Sequence, residues 1–223
     1  MYENIIAIPF RNRDEHLDYF IKNTVPLIEK HMPNTIVVVV EQNEGKQFNR
    51  GAILNVAFKE YQNKTKYFFT HDVDMNPSQN VVKDIYTKEN IEVFRVKRVH
   101  DQSLGGIVKI KHDTIFDING FPNNIWGWGI EDRALYHRCR IKNVDIKMNY
   151  NHSFKIMPHA SNHQKYTGAK EKHSRIWNGN YIKKLNDKQK EDIVMSSGIN
   201  NVEYIILERK MIHDIVELIK VDI

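Results

Sequence analysis

Cysteine is almost absent from this chain. Cys139 stands alone among 223 residues, so no intramolecular disulfide can form and nothing points to an oxidising compartment. Long apolar runs are missing as well. None approaches the roughly 18–20 residues that a membrane helix needs, and Met1 lies just before the first expected strand. The expectation is therefore a domain without leader or anchor, in a reducing, cytoplasmic setting. There is no internal repeat, no low-complexity tract and no interdomain linker. Charge of one sign is only mildly in excess, 33 basic against 28 acidic residues for a net +5. The Lys and Arg are scattered, with no basic helix face and no RNA-binding aromatic signature, so a nucleic-acid partner is not expected. A cleft for a diphosphate or an anionic glycan explains the excess equally well.

What is present is an ordinary globular composition, 41% hydrophobic and 27% charged, long enough for one full core. Ile5–Pro9 reads as a first strand, and Thr35–Val40, almost pure valine, as a buried parallel strand. Tyr67–Thr70 reads as a third strand. Between them lie an amphipathic helix from Asp14, interrupted at Pro26, and a second from Arg50 to Tyr61. This alternation predicts an α/β fold whose ligands lie beyond the carboxyl ends of the strands. Arg11 and Arg13 follow the first strand, Phe48-Asn49-Arg50 the second and Asp72-Val73-Asp74 the third, so all three motifs crowd one sheet edge. Downstream, Ile91–Val99 and Gly105–Lys111 read as strands, and Asp113 as the cap of a short helix to Asn119. Glu131 to about Lys142 reads as a helix, then Asp145–Asn149 and Ser153–Pro158 as short strands. Ala160–Arg175 reads as a mobile polar loop, Leu185–Met195 as a helix, and Val202–Arg209 with Ile212–Val221 as a closing hairpin.

The run from Gly120 to Asp132, GFPNNIWGWGIED, organises the rest. Acids in a helix's first turn suit the helix dipole, which alone explains Glu131 and Asp132, and Trp126 and Trp128 could simply pack. A Gly- and Asn-rich surround is loop, however, and loops carry sites. Trp offers a flat apolar face with one N–H donor, suited to a sugar ring. Asp72 and Asp74 are one residue apart on one side of an extended segment, and their hard oxygens suit Mn²⁺ or Mg²⁺; alone the motif is weak.

Taken with Ile8-Pro9-Phe10-Arg11-Asn12-Arg13, Phe48-Asn49-Arg50, Leu54-Asn55-Val56 and Asp72-Val73-Asp74, in that order, this run resembles the signature of the beta-1,4-galactosyltransferase family. The matches extend from the N-terminus to about His159. The resemblance implies a single GT-A-like (Rossmann-like) domain with a mixed, mainly parallel sheet flanked by helices. Residues 1–100 would form its nucleotide-sugar half and 101–223 its acceptor half. The implied reaction is an inverting, Mn²⁺-dependent (or Mg²⁺-dependent) transfer of galactose or N-acetylgalactosamine from UDP-Gal or UDP-GalNAc to a glycan hydroxyl. A monomer is favoured.

By the same resemblance Asp74 holds the metal and Asp72 contacts uridine or the sugar, with Val73 between them. His159 is a second metal ligand, and its partner stays open. Members with Met three residues before that His point to Ile156, which cannot coordinate. Members with His two before it point to Met157, the preferred choice, with His163 and His152 in reserve. Pro9, Phe10, Arg11, Arg13 and Arg50 line the donor side, where planar guanidinium forks suit phosphate. Phe48 lies beside uracil, and Lys97 or Arg98 adds charge near the phosphates. Ser103, Gly105 and Gly106 face the transferred sugar. Trp128 packs on sugar and phosphates, Asp132 is the general base, and Glu131 orients sugar hydroxyls. Desolvation by Trp126 and Trp128 would raise the base's proton affinity. Gly129 and Arg133 complete the acceptor side.

Two departures from the family pattern stand out. Arg133 replaces the usual third acid, which implies an acidic or differently shaped acceptor. Ser103 replaces a bulky Tyr, leaving room for an N-acetyl group and implying tolerance of UDP-GalNAc. The competing readings are a catalytically inactive sugar- or nucleotide-binding module and a basic nucleic-acid binder. Ala160–Arg175, just after His159, is a candidate lid.

Overall fold

The computed structural model describes residues 1–97, 102–127, 129–150, 153–158 and 169–223, apart from the side chains of 97, 150 and 169–172. Everything structural below concerns those residues. The chain opens with β1 (Tyr2–Phe10), α1 (Asp14–Asn23), α2 (Val25–His31), β2 (Thr35–Gln42), α3 (Arg50–Glu60) and β3 (Thr65–His71). Next come β4 (Met75–Pro77), the single turn α4 (Gln79–Val81) running into a π-turn at Val82–Tyr86, β5 (Val93–Lys97), β6 (Ile107–Lys111) and α5 (His112–Asp117). The remainder comprises α6 (Glu131–Ile141), β7 (Ile146–Tyr150), β8 (Phe154–Ile156), α7 (Ala169–Ile176), α8 (Gly179–Ile182), α9 (Asp187–Met195), β9 (Ile205–His213) and β10 (Val216–Asp222).

Eight strands form one sheet in the order β7-β5-β6-β3-β1-β2-β10-β9, and β4 pairs with β8 separately. Four of its pairings are parallel (β1–β2, β1–β3, β2–β10, β5–β7). The other three, β3–β6, β5–β6 and β9–β10, are antiparallel. The central strands β1, β2 and β3 are apolar over their middle residues because both faces are covered. Ile5, Ala7, Val38, Val40 and Phe68 point to the side carrying α3, whose Ile53, Leu54, Ala57 and Phe58 complete that core. Their neighbours Ile6, Ile8, Val37, Val39 and Phe69 point to the opposite side and meet Leu17, Phe20, Val25 and Ile28 of α1 and α2.

The expected break at Pro26 is real. Pro26 occupies the first turn of a separate helix, where its missing N–H costs nothing. Other expectations need correction. Ala160–Arg175 is not all loop, because Ala169–Ile176 is helical. Its polar residues hid a single buried stripe, with His173 and the following Trp177 only 8% and 3% exposed. Trp177 packs with Ile125, Ala134 and Ile182. Residues 160–168, and with them most of the candidate lid, lie outside the described residues. Asp113 does not cap α5. The helix starts at His112, whose Nδ1 lies 2.9 Å from the Asp113 carboxylate in its first turn. The strand expected from Gly105 starts at Ile107, since Gly106 takes φ +78°.

At the β9 edge Ile205, Leu207 and Met211 are exposed. The central Glu208-Arg209-Lys210 and two register shifts against β10 blunt that edge against further pairing. No helix among the described residues is long and apolar enough to cross a membrane.

Candidate active site

β1, β2 and β3 run parallel, so the residues after each emerge at one edge of the sheet. Pro9 and Phe10 end β1, and Phe10 is buried. Arg13 follows with its Nη1 3.6 Å from Asp74 Oδ2. The Arg11 guanidinium lies over the Phe48 ring at 5.2 Å and donates to the Lys46 carbonyl at 2.8 Å. Arg50 opens α3 at the carboxyl end of β2. The cap of that helix is Asn49, whose side chain accepts from the Ala52 amide at 3.0 Å.

Arg50 is the hub of the site. Its Nε and Nη2 donate to Asp72 Oδ1 at 3.1 and 2.8 Å, and its Nη1 donates to Asp132 Oδ1 at 2.7 Å. Glu131 Oε1 is 4.0 Å from the same nitrogen. One guanidinium thus joins the turn after β3 to the start of α6, whose Asp132 lies 82 residues from Arg50 in sequence. Burial would pull the proton affinity of Arg50 down, but Asp132, Asp72 and Glu131 outweigh it and hold the group cationic.

Glu131 is 5% exposed, and its Oε2 has no hydrogen-bond partner. Burial first, and the neighbouring Asp132 second, push its carboxyl up to about 8 against the opposing pull of Arg50. Near neutrality it is mostly the protonated acid, able to donate a hydrogen bond. The backbone leading into it is left-handed, with φ +83° at Gly127, +90° at Gly129 and +79° at Ile130. A β-branched residue at positive φ is strained, and such strain collects where a functional geometry demands it. Asp132 lies beside Gly105. A β-carbon on that glycine would fall 2.1 Å from Asp132 Oδ2, and the Leu104 amide donates to the Asp132 carbonyl at 2.9 Å.

The GFPNN segment is fastened to α3 by asparagines. Asn55 Nδ2 donates to the Phe121 carbonyl and to Asn123 Oδ1, both at 2.7 Å, and its Oδ1 accepts from the Phe121 amide at 2.9 Å. Asn49 Nδ2 donates to the Asn123 carbonyl at 2.6 Å. The Phe48-Asn49-Arg50/Asn55 segment and the Gly120–Asp132 run are therefore one physical unit. From the other side Arg138, fully buried, donates to the Asn119 and Gly120 carbonyls at 2.7 and 2.9 Å.

Other expected residues fall as follows. Val73 turns its side chain into the core, 4% exposed. Ser103 is held by Arg95, whose Nη1 donates to its carbonyl at 2.5 Å and to its Oγ at 3.2 Å. Gly106 passes against Met75, and Arg133 projects to solvent from the exposed side of α6. The β4–β8 pairing carries Met157 to Asp74, and the Met157 amide donates to the Asp74 carbonyl at 2.9 Å. Trp128, His159, Arg98, His152 and His163 lie outside the described residues, as does the Lys97 side chain. Among the described residues, no three His, Cys, Asp or Glu side chains form a cluster able to hold a metal.

Sequence reasoning missed two supporting groups. Arg95, in β5, also donates from Nε to the Gly105 carbonyl at 2.8 Å, and so shapes the 103–105 turn. His71 lies just before Asp72 and is fully buried, its Nε2 2.8 Å from the Tyr86 hydroxyl. Burial depresses its proton affinity to about 4, against the pull of Asp72. An arginine flanked on both sides by apolar residues of a strand, Phe94 and Val96, was the available signal for Arg95. Nothing in the order of residues signals the second contact.

Residues 1–87 match the family described as the N-terminal region of glycosyl transferase group 7, and residues 87–163 match the N-terminal domain of galactosyltransferase. Bovine beta-1,4-galactosyltransferase 1 is 34% identical over 149 residues, 63% of this chain and 37% of that protein. Human beta-1,4-galactosyltransferase 4 is 31% identical over 151 residues, 63% of this chain and 43% of that protein. The matches thus span less than half the length of these relatives. The fold superimposes on Drosophila beta-1,4-galactosyltransferase 7, solved with manganese, UDP-Gal and xylobiose. The TM-score is 0.78 at 22% identity, covering 100% of this chain and 94% of that one. It also resembles a mannosyltransferase from Pyrobaculum calidifontis, solved with GDP-Man and Mn²⁺, at a TM-score of 0.59 and 11% identity, covering 87% and 70% of the two chains. Two adjoining family matches over residues 1–163, together with curated relatives above 30% identity, establish that the chain belongs to the beta-1,4-galactosyltransferase family.

Proposed function

We propose that this protein transfers galactose or N-acetylgalactosamine from a UDP-sugar to a hydroxyl of a glycan acceptor, with inversion at the sugar carbon. The observation that carries the reading is the Arg50 bridge between Asp72 and Asp132. It unites the acidic turn after β3 with the acidic start of α6 in one water-accessible edge. A merely structural helix start does not require a buried, partnerless Glu131 oxygen beside a left-handed Ile130.

In this reading Asp132, the more exposed of the two α6 acids, accepts the proton of the attacking hydroxyl, and Arg50 holds it in orientation. Glu131, protonated near neutrality, donates to an acceptor or sugar oxygen. Arg11, Arg13 and Phe48 receive the uridine diphosphate, with Asp72 on the uridine or sugar side. Gly105, Gly106 and Ser103 flank the transferred sugar, and Lys97 and Trp128 complete the donor side. Gly129 and Arg133 belong to the acceptor side. The residues at Asp74 fit a divalent cation. The Asp74 carboxylate is a hard ligand, and the β4–β8 pairing draws the segment ending at Met157 onto Asp74's own backbone. Asp74, Met157 and His159 would hold Mn²⁺ or Mg²⁺, which when bound supplies positive charge against the leaving diphosphate.

The test is UDP release from UDP-Gal and UDP-GalNAc over an array of glycan acceptors, with Mn²⁺ or with chelator, for wild type and Asp132→Asn. Turnover that needs metal and drops on the order of 10³-fold or more in the variant is expected. Metal-dependent UDP binding without turnover on any acceptor would favour a binding module instead, and no UDP binding would overturn the reading.

A further inference from the structure

We propose that His71, oriented by Tyr86, is a positioning residue that sets the Asp72–Asp74 turn for the donor. The inference rests on the reading of Asp72 and Asp74 as donor-site groups. It begins with a carbonyl. The Asp72 C=O accepts from the Met75 amide at 3.1 Å, which closes the turn between β3 and β4. The same oxygen lies 2.9 Å from His71 Nδ1.

A carbonyl can only accept, so Nδ1 carries the hydrogen, and Nε2 of the neutral ring is then an acceptor. The group facing Nε2 is the Tyr86 hydroxyl, which can donate to it. The polarity is therefore fixed along the whole line, from Tyr86 O–H to His71 Nε2 and from His71 Nδ1–H to the Asp72 carbonyl. Neither ring nitrogen has a spare partner, and both side chains are buried. Phe20 packs on the imidazole, with ring centres 5.2 Å apart, and blocks reorientation.

Tyr86 is itself fixed. It ends the π-turn Val82–Tyr86, a rare geometry frequent at functional sites. Its carbonyl accepts from Lys109 Nζ at 2.9 Å, and that buried amine also donates to the Lys88 carbonyl at 2.6 Å. The line thus runs from β6 through the π-turn to the backbone of the acidic turn, on the side of the sheet opposite α3. Arg50 grips the Asp72 carboxylate from the α3 side. One residue is held at its side chain by one layer and at its carbonyl by the other.

The experiment compares wild type with His71→Asn, His71→Leu and Tyr86→Phe. Asn can place an amide N–H near the position of Nδ1, Leu cannot, and Phe removes one oxygen. Amide hydrogen exchange at Val73–Met75 in the ligand-free protein reads the turn, and calorimetric binding of UDP with Mn²⁺ reads the donor site. Melting temperatures confirm that each variant is folded. Exchange and UDP dissociation constant are expected to rise at least tenfold in His71→Leu and about threefold in Tyr86→Phe, with His71→Asn near wild type. Values unchanged in all three variants overturn the proposal. So does equal damage in the Asn and Leu variants, which would reduce His71 to bulk. Should His71→Leu not fold, the Tyr86→Phe and His71→Asn results decide alone. A wild type that binds no UDP defeats the donor-site reading instead, and the exchange pattern still decides whether His71 holds the turn.

Discussion

The Asp132 carboxylate lies against the α-carbon of Gly105, in space that any β-carbon there would occupy 2.1 Å from Oδ2. Gly105 has no left-handed φ among the positive-φ glycines, so the requirement is one of room and not of backbone conformation. Gly105→Ala should therefore fold but push the carboxylate aside. A displacement near 1 Å costs on the order of 10²-fold in rate. Steady-state kinetics on the variant, with its melting curve, checks this; wild-type activity would mean that Asp132 does not act from this position.

Arg50 makes three hydrogen bonds to two carboxylates from one planar fork. Lysine keeps the charge but cannot span both partners. Arg50→Lys should lose on the order of 10²-fold in kcat/KM, about 2.7 kcal/mol by the tenfold-per-1.36 rule. Because Asp72 and Asp132 are about a third exposed, its stability should change by only about 1 kcal/mol. A variant losing stability and activity in proportion would point to a structural role.

Glu131 makes stability depend on pH in a defined direction. Its carboxyl is raised from an ordinary 4.5 to about 8. Between those values the folded chain keeps a proton that the unfolded chain has lost. Stability is then greatest below the lower value and falls as pH rises through the window, by at most about 1.4 kcal/mol per unit. Above about 8 this contribution levels off. Glu131→Gln should flatten the slope, and denaturant titrations at three pH values within and beyond the window measure it. Parallel slopes for the two proteins would show that Glu131 is ionised when folded.

Ser103 is drawn toward Arg95 through both its carbonyl and its hydroxyl. If that small side chain leaves room at the 2-position of the donor sugar, Ser103→Tyr should cut the UDP-GalNAc to UDP-Gal turnover ratio at least tenfold, about 1.4 kcal/mol. An unchanged ratio would move donor choice to another residue.

Arg133 faces solvent one residue beyond Asp132. Acceptors bearing a carboxylate should outperform neutral ones, and Arg133→Asp should reverse that order with little change in UDP affinity. The preference should fade with salt, as expected for a solvated charge. Salt-independent selectivity would assign it to shape.

How much of this could be read from the chain varies by element. β2 declares itself through its valine run, since only a strand covered on both faces can be so apolar. The Pro26 break follows from one missing N–H. β8 was legible within Ser153–Pro158, but its partner β4 and the π-turn at Val82–Tyr86 were not, because segments of three and five residues carry no periodicity. α7 was misread because one buried edge sufficed to fold a strongly polar segment. At the site, residue types and order suggest which acids belong together. They say nothing of the Arg50 hub, nor of a glycine 27 positions before Asp132 making space for it, since both are contacts between distant segments.

The place of β10 has a consequence for synthesis. It lies between β2 and β9, so one edge of the valine strand is closed only by residues 216–222. As the chain is made from its N-terminus, β1 can pair with β2 early, yet the opposite edge of Thr35–Gln42 stays open until nearly every other described strand has emerged. A strand whose centre is an uncharged apolar run, here Ile36–Val40, with a bare edge is a template for pairing with other chains. Nascent molecules of this protein should therefore depend on chaperone occupancy until the hairpin arrives, and lesions in β9 or β10 should lower soluble yield before they touch the chemistry.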